Sequence, residues 1–145
     1  MTTINPYLTF NGNCEEAFGF YKSVFGGDFS FLGRFKDMPE NPDYPLEDAQ
    51  KELIMHISLP ISDETILMGS DTLAAFGQPF EKGNNYSISV NIDDAEVAKK
   101  VFDKLSDGGK VKMPFDKTFW NAWFGSFEDK FGIHWMVNSQ IKEEL

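Results

Sequence analysis

An α+β fold of two βαβββ modules is predicted by three features of the 145-residue chain. Extended and helical patterns alternate in the same order in both halves, a glycine pair closes the helix of each half, and every extended run has one apolar and one mixed face. The expected result is curved mixed sheets with helices outside and a concave trough inside. It forms one domain over residues 1–145, with module 1 at about 4–71 and module 2 at about 86–138.

The elements follow in order. Ile4–Phe10 is rich in β-formers and tolerates Pro6 only near its start. In "NGNCEEAFGFYKSVFGG", Asn13 is a helix cap with Glu16 three residues on, a capping-box spacing. Ala17, Phe18, Tyr21, Val24 and Phe25 then share one helical face, and Gly26-Gly27 stops the run. Asp28–Lys36, Glu52–Ile61 and Thr65–Ser70 read as strands, separated by the polar, proline-rich loop "KDMPENPDYPLEDAQ". In the second half "YSISVNI" is a strand, "DDAEVAKKVFDKLSDGG" a capped amphipathic helix, and Lys110–Met113 a strand. Trp120–Phe127 and Ile133–Asn138 form a closing hairpin. Shifting the first half by 82 residues sets Leu8 on Val90, Asn11 on Asp93 and Gly26-Gly27 on Gly108-Gly109, which reads as an internal duplication.

Strand alternation sorts the side chains. Leu8 and Phe10 oppose Asn5, Tyr7 and Thr9; Leu53, Met55, Ile57 and Leu59 oppose Glu52, Ile54, His56 and Ser58. Tyr86, Ile88, Val90 and Ile92 oppose Ser87, Ser89 and Asn91, and Ile133, Trp135 and Val137 oppose His134, Met136 and Asn138. The apolar faces suit helices, and the mixed faces suit a trough that takes a small-molecule ligand. Trp135 is assigned to the core and His134 to the trough.

Composition narrows the function classes. The chain is 41% hydrophobic and 15% aromatic, enough for a packed core. A net charge of −10 without a Lys/Arg cluster argues against nucleic acid and anionic lipid as partners. No apolar run reaches membrane-spanning length and no basic leader opens the chain, so a cytoplasmic protein is the expectation. The lone Cys14 excludes an intrachain disulfide and multi-cysteine metal sites.

With "NPYLTFNGNCEEAFGFYKSVFGG" at the front and "FW…FGSFEDKFGIHWMVN" at the close, the chain resembles the glyoxalase/bleomycin-resistance/dioxygenase group, the vicinal oxygen chelate superfamily. The nearest resemblance is to its PhnB-like branch, labelled 3-demethylubiquinone-9 3-methyltransferase-like. The resemblance implies a homodimer. It also implies divalent-ion positions on the first and fourth strand of each module, where an ion would act as a Lewis acid on neighbouring substrate oxygens. Those positions fall on Asn5, Leu67 or Gly69, Ser87 and Met136, which lack the imidazoles and carboxylates of such a site. The reading therefore assigns no metal and no cofactor.

The trough wall is assigned to Asn5, Tyr7, His56, Asp71, Ser87, Trp123, His134 and Met136, with no catalytic residue named. His56 and His134 are either hydrogen-bonded structural histidines, ligand contacts or general acid–base groups, or, with Asp71, a relocated metal site. Asp71 alternatively caps a turn. Trp123 shares its parity with Gly125, which could leave room beside the indole for a flat ligand. Cys14 stands in a first helical turn, yet reads as a small buried hydrophobe rather than a nucleophile. The leading function is small-molecule binding. The alternative is a metal-dependent lyase, isomerase or dioxygenase with relocated ligands. A methyltransferase is disfavoured, because the glycines end helices and βαβββ order does not build a doubly wound sheet.

Overall fold

The computed structural model describes residues 1–73 and 80–141. The chain divides into two compact units, Met1–Glu81 and Lys82–Leu145. Each unit folds in βαβββ order around one four-stranded mixed sheet.

The first unit runs β1 (Tyr7–Phe10), α1 (Cys14–Phe25), β2 (Phe31–Arg34), a 3₁₀ turn, a short α2 (Asp48–Lys51), β3 (Ile54–Pro60) and β4 (Ile66–Asp71). The strand order is β1-β4-β3-β2, with β1 parallel to β4 and the other pairs antiparallel. Ala17, Phe18 and Tyr21 of α1 are fully buried, and Leu8, Phe10, Ile57, Leu59 and Leu67 supply the sheet side of the core. Each such large side chain contributes about 1.5–3 kcal/mol on burial. The strand face under Phe18 has to be thin. A Cβ on Gly69 would stand 2.6 Å from the Phe18 ring and 2.8 Å from the Leu8 carbonyl oxygen.

Two local expectations change here. Asn13 makes no side-chain cap on α1. Instead Asp71, at the end of β4, accepts from the backbone N–H of Gly12 (3.0 Å) and Cys14 (2.9 Å), so the helix is capped from 57 residues away. The second change is in β3. A β-bulge shifts the register between Gly33 and Arg34, pairing Gly33 with His56 and Arg34 with Ile54. Met55 is the extra residue, and Ile54 passes to the helix side, where it is fully buried. Strict alternation had put Ile54 with His56.

The second unit runs β5 (Ile88–Asn91), α3 (Ala95–Ser106), β6 (Lys110–Lys117), β7 (Ala122–Glu128) and β8 (His134–Gln140), in sheet order β5-β8-β7-β6. Asp94 caps α3, accepting from Glu96 N–H at 2.8 Å and Val97 N–H at 3.1 Å. Ala98, Val101, Phe102 and Leu105 face Phe127, Trp135 and Val137 across the core. β6 extends past the expected Met113 to Lys117 and includes Pro114, which an edge strand tolerates. Asp129 closes the β7–β8 turn, accepting from Phe131 N–H, Ile133 N–H and the Trp135 indole N–H at 2.8–3.0 Å. That bond satisfies the polar end of a buried indole and holds Trp135 in the core. Among the described residues no helix is long and apolar enough to cross a membrane.

Candidate functional site

Each sheet has one face under its helix and one open face. In the first unit the register aligns Tyr7 of β1 with Met68 of β4 and Ser58 of β3 on the open face, with Thr9 beside Ser70. The Tyr7 hydroxyl lies 3.4 Å from His56 Nδ1, and Ser58 Oγ lies 2.9 Å from His56 Nε2. The Tyr7 and Phe31 rings stand 5.6 and 5.7 Å from the imidazole, centroid to centroid. Tyr7 and Phe31 remain about half exposed, at 49% and 50%. Phe31 folds back over Gly33, whose absent Cβ would sit 2.9 Å from the ring. On the same sheet a cleft of about 380 Å³ is lined by Thr9, Ser70, Met55, Phe35, Met38 and neighbouring residues. The arrangement presents a hydrogen-bonded imidazole between two accessible rings, next to a mixed cleft. It can bind a ring and exchange a hydrogen bond.

The other expected wall residues divide. Asp71 lies on the helix side, aligned with the buried Phe10 and 3% exposed. Its second oxygen accepts from Ile54 N–H at 2.9 Å, so both carboxylate oxygens are engaged by backbone. Trp123 also lies on the helix side. It stacks on Phe115 at 6.0 Å, which in turn stacks on Phe102 of α3. The room expected beside Gly125 is filled, since a Cβ there would meet Phe102 at 2.6 Å. Asn5 precedes β1, and its Oδ1 accepts from Ile66 N–H at 2.9 Å, tying the chain start to β4. Ser87 is exposed just before β5.

On the second sheet, His134 and Met136 occupy the open face, aligned with Glu128 and Ser126 of β7. His134 is 5% exposed, with Tyr86 edge-on at 5.4 Å and Lys112 Nζ 2.6 Å from its Nδ1. An ammonium can only donate, so a protonated Lys112 makes Nδ1 the acceptor and leaves the ring hydrogen on Nε2. Burial, ahead of the nearby Asp129 and Glu128 charges, raises the Tyr86 phenol above its ordinary value. Burial likewise pushes the Cys14 thiol well up, with Asp71 and Glu15 adding to the effect. The helix N-terminus does not offset this, and Cys14 is fully buried.

The residues do not fit the superfamily's metal. The Asn5 amide oxygen is occupied by backbone, Leu67 is buried on the helix side, and Met136 offers only a thioether. Among the described residues no group of three His, Cys, Asp or Glu side chains is placed to hold an ion. The relocated set fails in the first unit, because Asp71 and His56 project from opposite faces of one sheet. Phe31, Met55 and Ser58, which were not among the expected wall residues, lie beside His56 or in the cleft. Alternation already put Ser58 beside His56, whereas Met55 depends on a bulge that no pattern announced.

Comparisons with known proteins agree with this architecture. The chain is 42% identical to protein PA1353 from Pseudomonas aeruginosa, covering 98% of this chain and 100% of that one with a TM-score of 0.84. It is 29% identical to Protein YjdN of Escherichia coli (strain K12) over 93% of both chains. The PhnB protein from Bacillus cereus shares the fold at 24% identity, covering 95% of this chain and 99% of that one with a TM-score of 0.73. A glyoxalase/bleomycin resistance protein/dioxygenase family enzyme from Burkholderia phytofirmans shares it at 12% identity, over 94% and 97% of the chains, with a TM-score of 0.60. The family model described as 3-demethylubiquinone-9 3-methyltransferase matches residues 2–138, and the chain belongs to that PhnB-like, glyoxalase-fold family.

Proposed function

We propose that this protein binds a small organic molecule against the open face of the first sheet, around Tyr7, His56 and Ser58 and into the adjoining cleft. The observation that carries the reading is the imidazole held at Nε2 by Ser58 and set between two half-exposed aromatic rings. A buried core has no use for half-exposed rings, whereas a ligand site combines ring surface with a few placed polar groups. The family description names a methyltransferase, but neither sheet has doubly wound parallel order. Gly12, with φ +99°, does lie between a strand and a helix, contrary to the expectation that the glycines only end helices. It stands alone there, and its N–H is bound to Asp71.

The test is a fragment screen by amide and methyl NMR on the full chain. Ligands should shift Tyr7, Thr9, Met55, His56 and Ser70 together. Binders that perturb only other surfaces would overturn the reading.

We also infer that two copies associate. Phe119 at 98% exposure and Trp120 at 50% form an apolar hairpin tip, and exposed apolar surface of this kind favours a partner. Sedimentation should give twice the 16.5 kDa chain mass at micromolar concentration. A Phe119→Ser, Trp120→Ser double variant should shift it to the monomer.

A further inference from the structure

We propose that the molecule bound by the first sheet is a flat, uncharged ring compound carrying a hydroxyl, and that the hydroxyl meets His56 Nδ1 between the Tyr7 and Phe31 rings. The proposal rests on the binding reading above and names its ligand class.

Three observations lead there. The first is charge. The four strands carry only two charged side chains, Arg34 and Asp71, and of these Asp71 borders the cleft while adding no positive charge to it. Arg34 is on the helix side in a two-pronged pair with Glu15 (2.7 and 3.0 Å), and Asp71 is held by backbone. A carboxylate or phosphate would lose water there without gaining a countercharge, which selects against anionic ligands. The second is polarity at one point. Ser58 fixes Nε2 at 2.9 Å, so Nδ1 is the nitrogen left for an incoming group. The Tyr7 phenol now meets Nδ1 at 3.4 Å, longer than a well-formed hydroxyl bond. A free hydroxyl able to approach more closely displaces it, and the chain's own phenol illustrates the chemistry the position accepts.

The third is shape. Tyr7 and Phe31 come from the two outer strands of the sheet, and His56 lies on β3 within it. The rings tilt 35° and 51° from the imidazole plane. Phe31 can adopt its position only because Gly33 lacks a side chain. Aromatic walls of this kind favour planar ligands by stacked and edge contacts.

The test uses 2-naphthol and its methyl ether, 2-methoxynaphthalene, titrated into the full-length protein by calorimetry and by NMR. The naphthol should bind about tenfold more tightly than the ether, the effect of one hydrogen bond. His56→Phe should reduce that preference to about twofold or less, read as the ratio of the two affinities, and Gly33→Ala should weaken both compounds by displacing Phe31. In the wild-type protein, the naphthol but not the ether should shift the His56 Nδ1 resonance, a readout independent of whether either variant folds. Equal affinities for the two compounds, with shifts at Tyr7 and Phe31, would overturn the hydroxyl contact. If neither compound shifts Tyr7, His56 or Phe31 while other fragments shift Thr9, Met55 and Ser70, the ligand class is wrong and the binding reading stands. If nothing perturbs this face, both fall.

Discussion

Asp71 shows what one side chain can hold. Its two oxygens accept three backbone N–H groups, from Gly12, Cys14 and Ile54, at 2.9–3.0 Å. Asp71→Ala leaves those donors without an acceptor in a mostly buried setting. The expected loss is about 3 kcal/mol or more, measurable by urea unfolding. Asp71→Asn should fall between, because its amide nitrogen turns a donor toward one of the three N–H groups. Cys14 gives a pH dependence of definite sign. Its folded thiol is raised above the unfolded value, so the neutral form contributes stability that is complete below about pH 9 and declines as the pH rises above it. Stability should therefore fall above pH 9 in the wild type and fall less steeply in Cys14→Ala, with native Cys14 unreactive to thiol reagents at pH 8. Sequence reasoning read Cys14 as a small buried hydrophobe because no partner histidine lies near it in the chain, and the side chain is fully buried. It could not find the role of Asp71, because the groups that Asp71 binds lie up to 59 residues away.

At the scale of elements, helix-to-sheet contact depends on strand glycines. Phe18 of α1 sits over Gly69, and Phe102 of α3 sits over Gly125. At Gly125 a Cβ would also press on the Met113 carbonyl oxygen and the Phe115 Cα, both at 3.0 Å, and backbone cannot swing aside. Gly125→Ala should cost about 2 kcal/mol or more by overpacking, with near-ultraviolet circular dichroism reporting displaced aromatic rings. The two long helices and the succession of strands along the chain were legible, because helical periodicity and strand alternation recur over whole segments. The bulge in β3 was not. One extra residue reverses the face assignment on one side of it, and nothing in "ELIMHISL" marks where that residue enters. The Trp123 assignment failed for a related reason. Parity correctly linked it to Gly125, but parity alone does not tell which face receives the helix.

For the whole molecule, the duplicated βαβββ order was readable from two glycine pairs and two amphipathic helices, and both units have the same strand arrangement. The proposed binding surface was only half readable. Tyr7, His56, His134 and Met136 were placed on open faces, whereas Asp71 and Trp123 pack toward helices. The donor chemistry at Asn5, Leu67, Ser87 and Met136 bears on the intact protein. Metal analysis after purification without chelator should find well below one zinc, nickel, manganese or iron ion per chain. Stoichiometric metal lost in His56→Ala or His134→Ala would favour the metal-dependent enzyme.

The shared acceptor at Asp71 also has a consequence in time. The amides of Gly12, Cys14 and Ile54 belong to a loop, a helix start and a strand start, which would ordinarily open independently. Bound to one carboxylate, they lose protection in the same opening event. Hydrogen exchange should find these three sites with closely matching protection factors, and Asp71→Asn should lower all three while leaving the Asp94-capped amides of α3 unchanged. On that outcome the end of β4 sets when the front of the chain lets go.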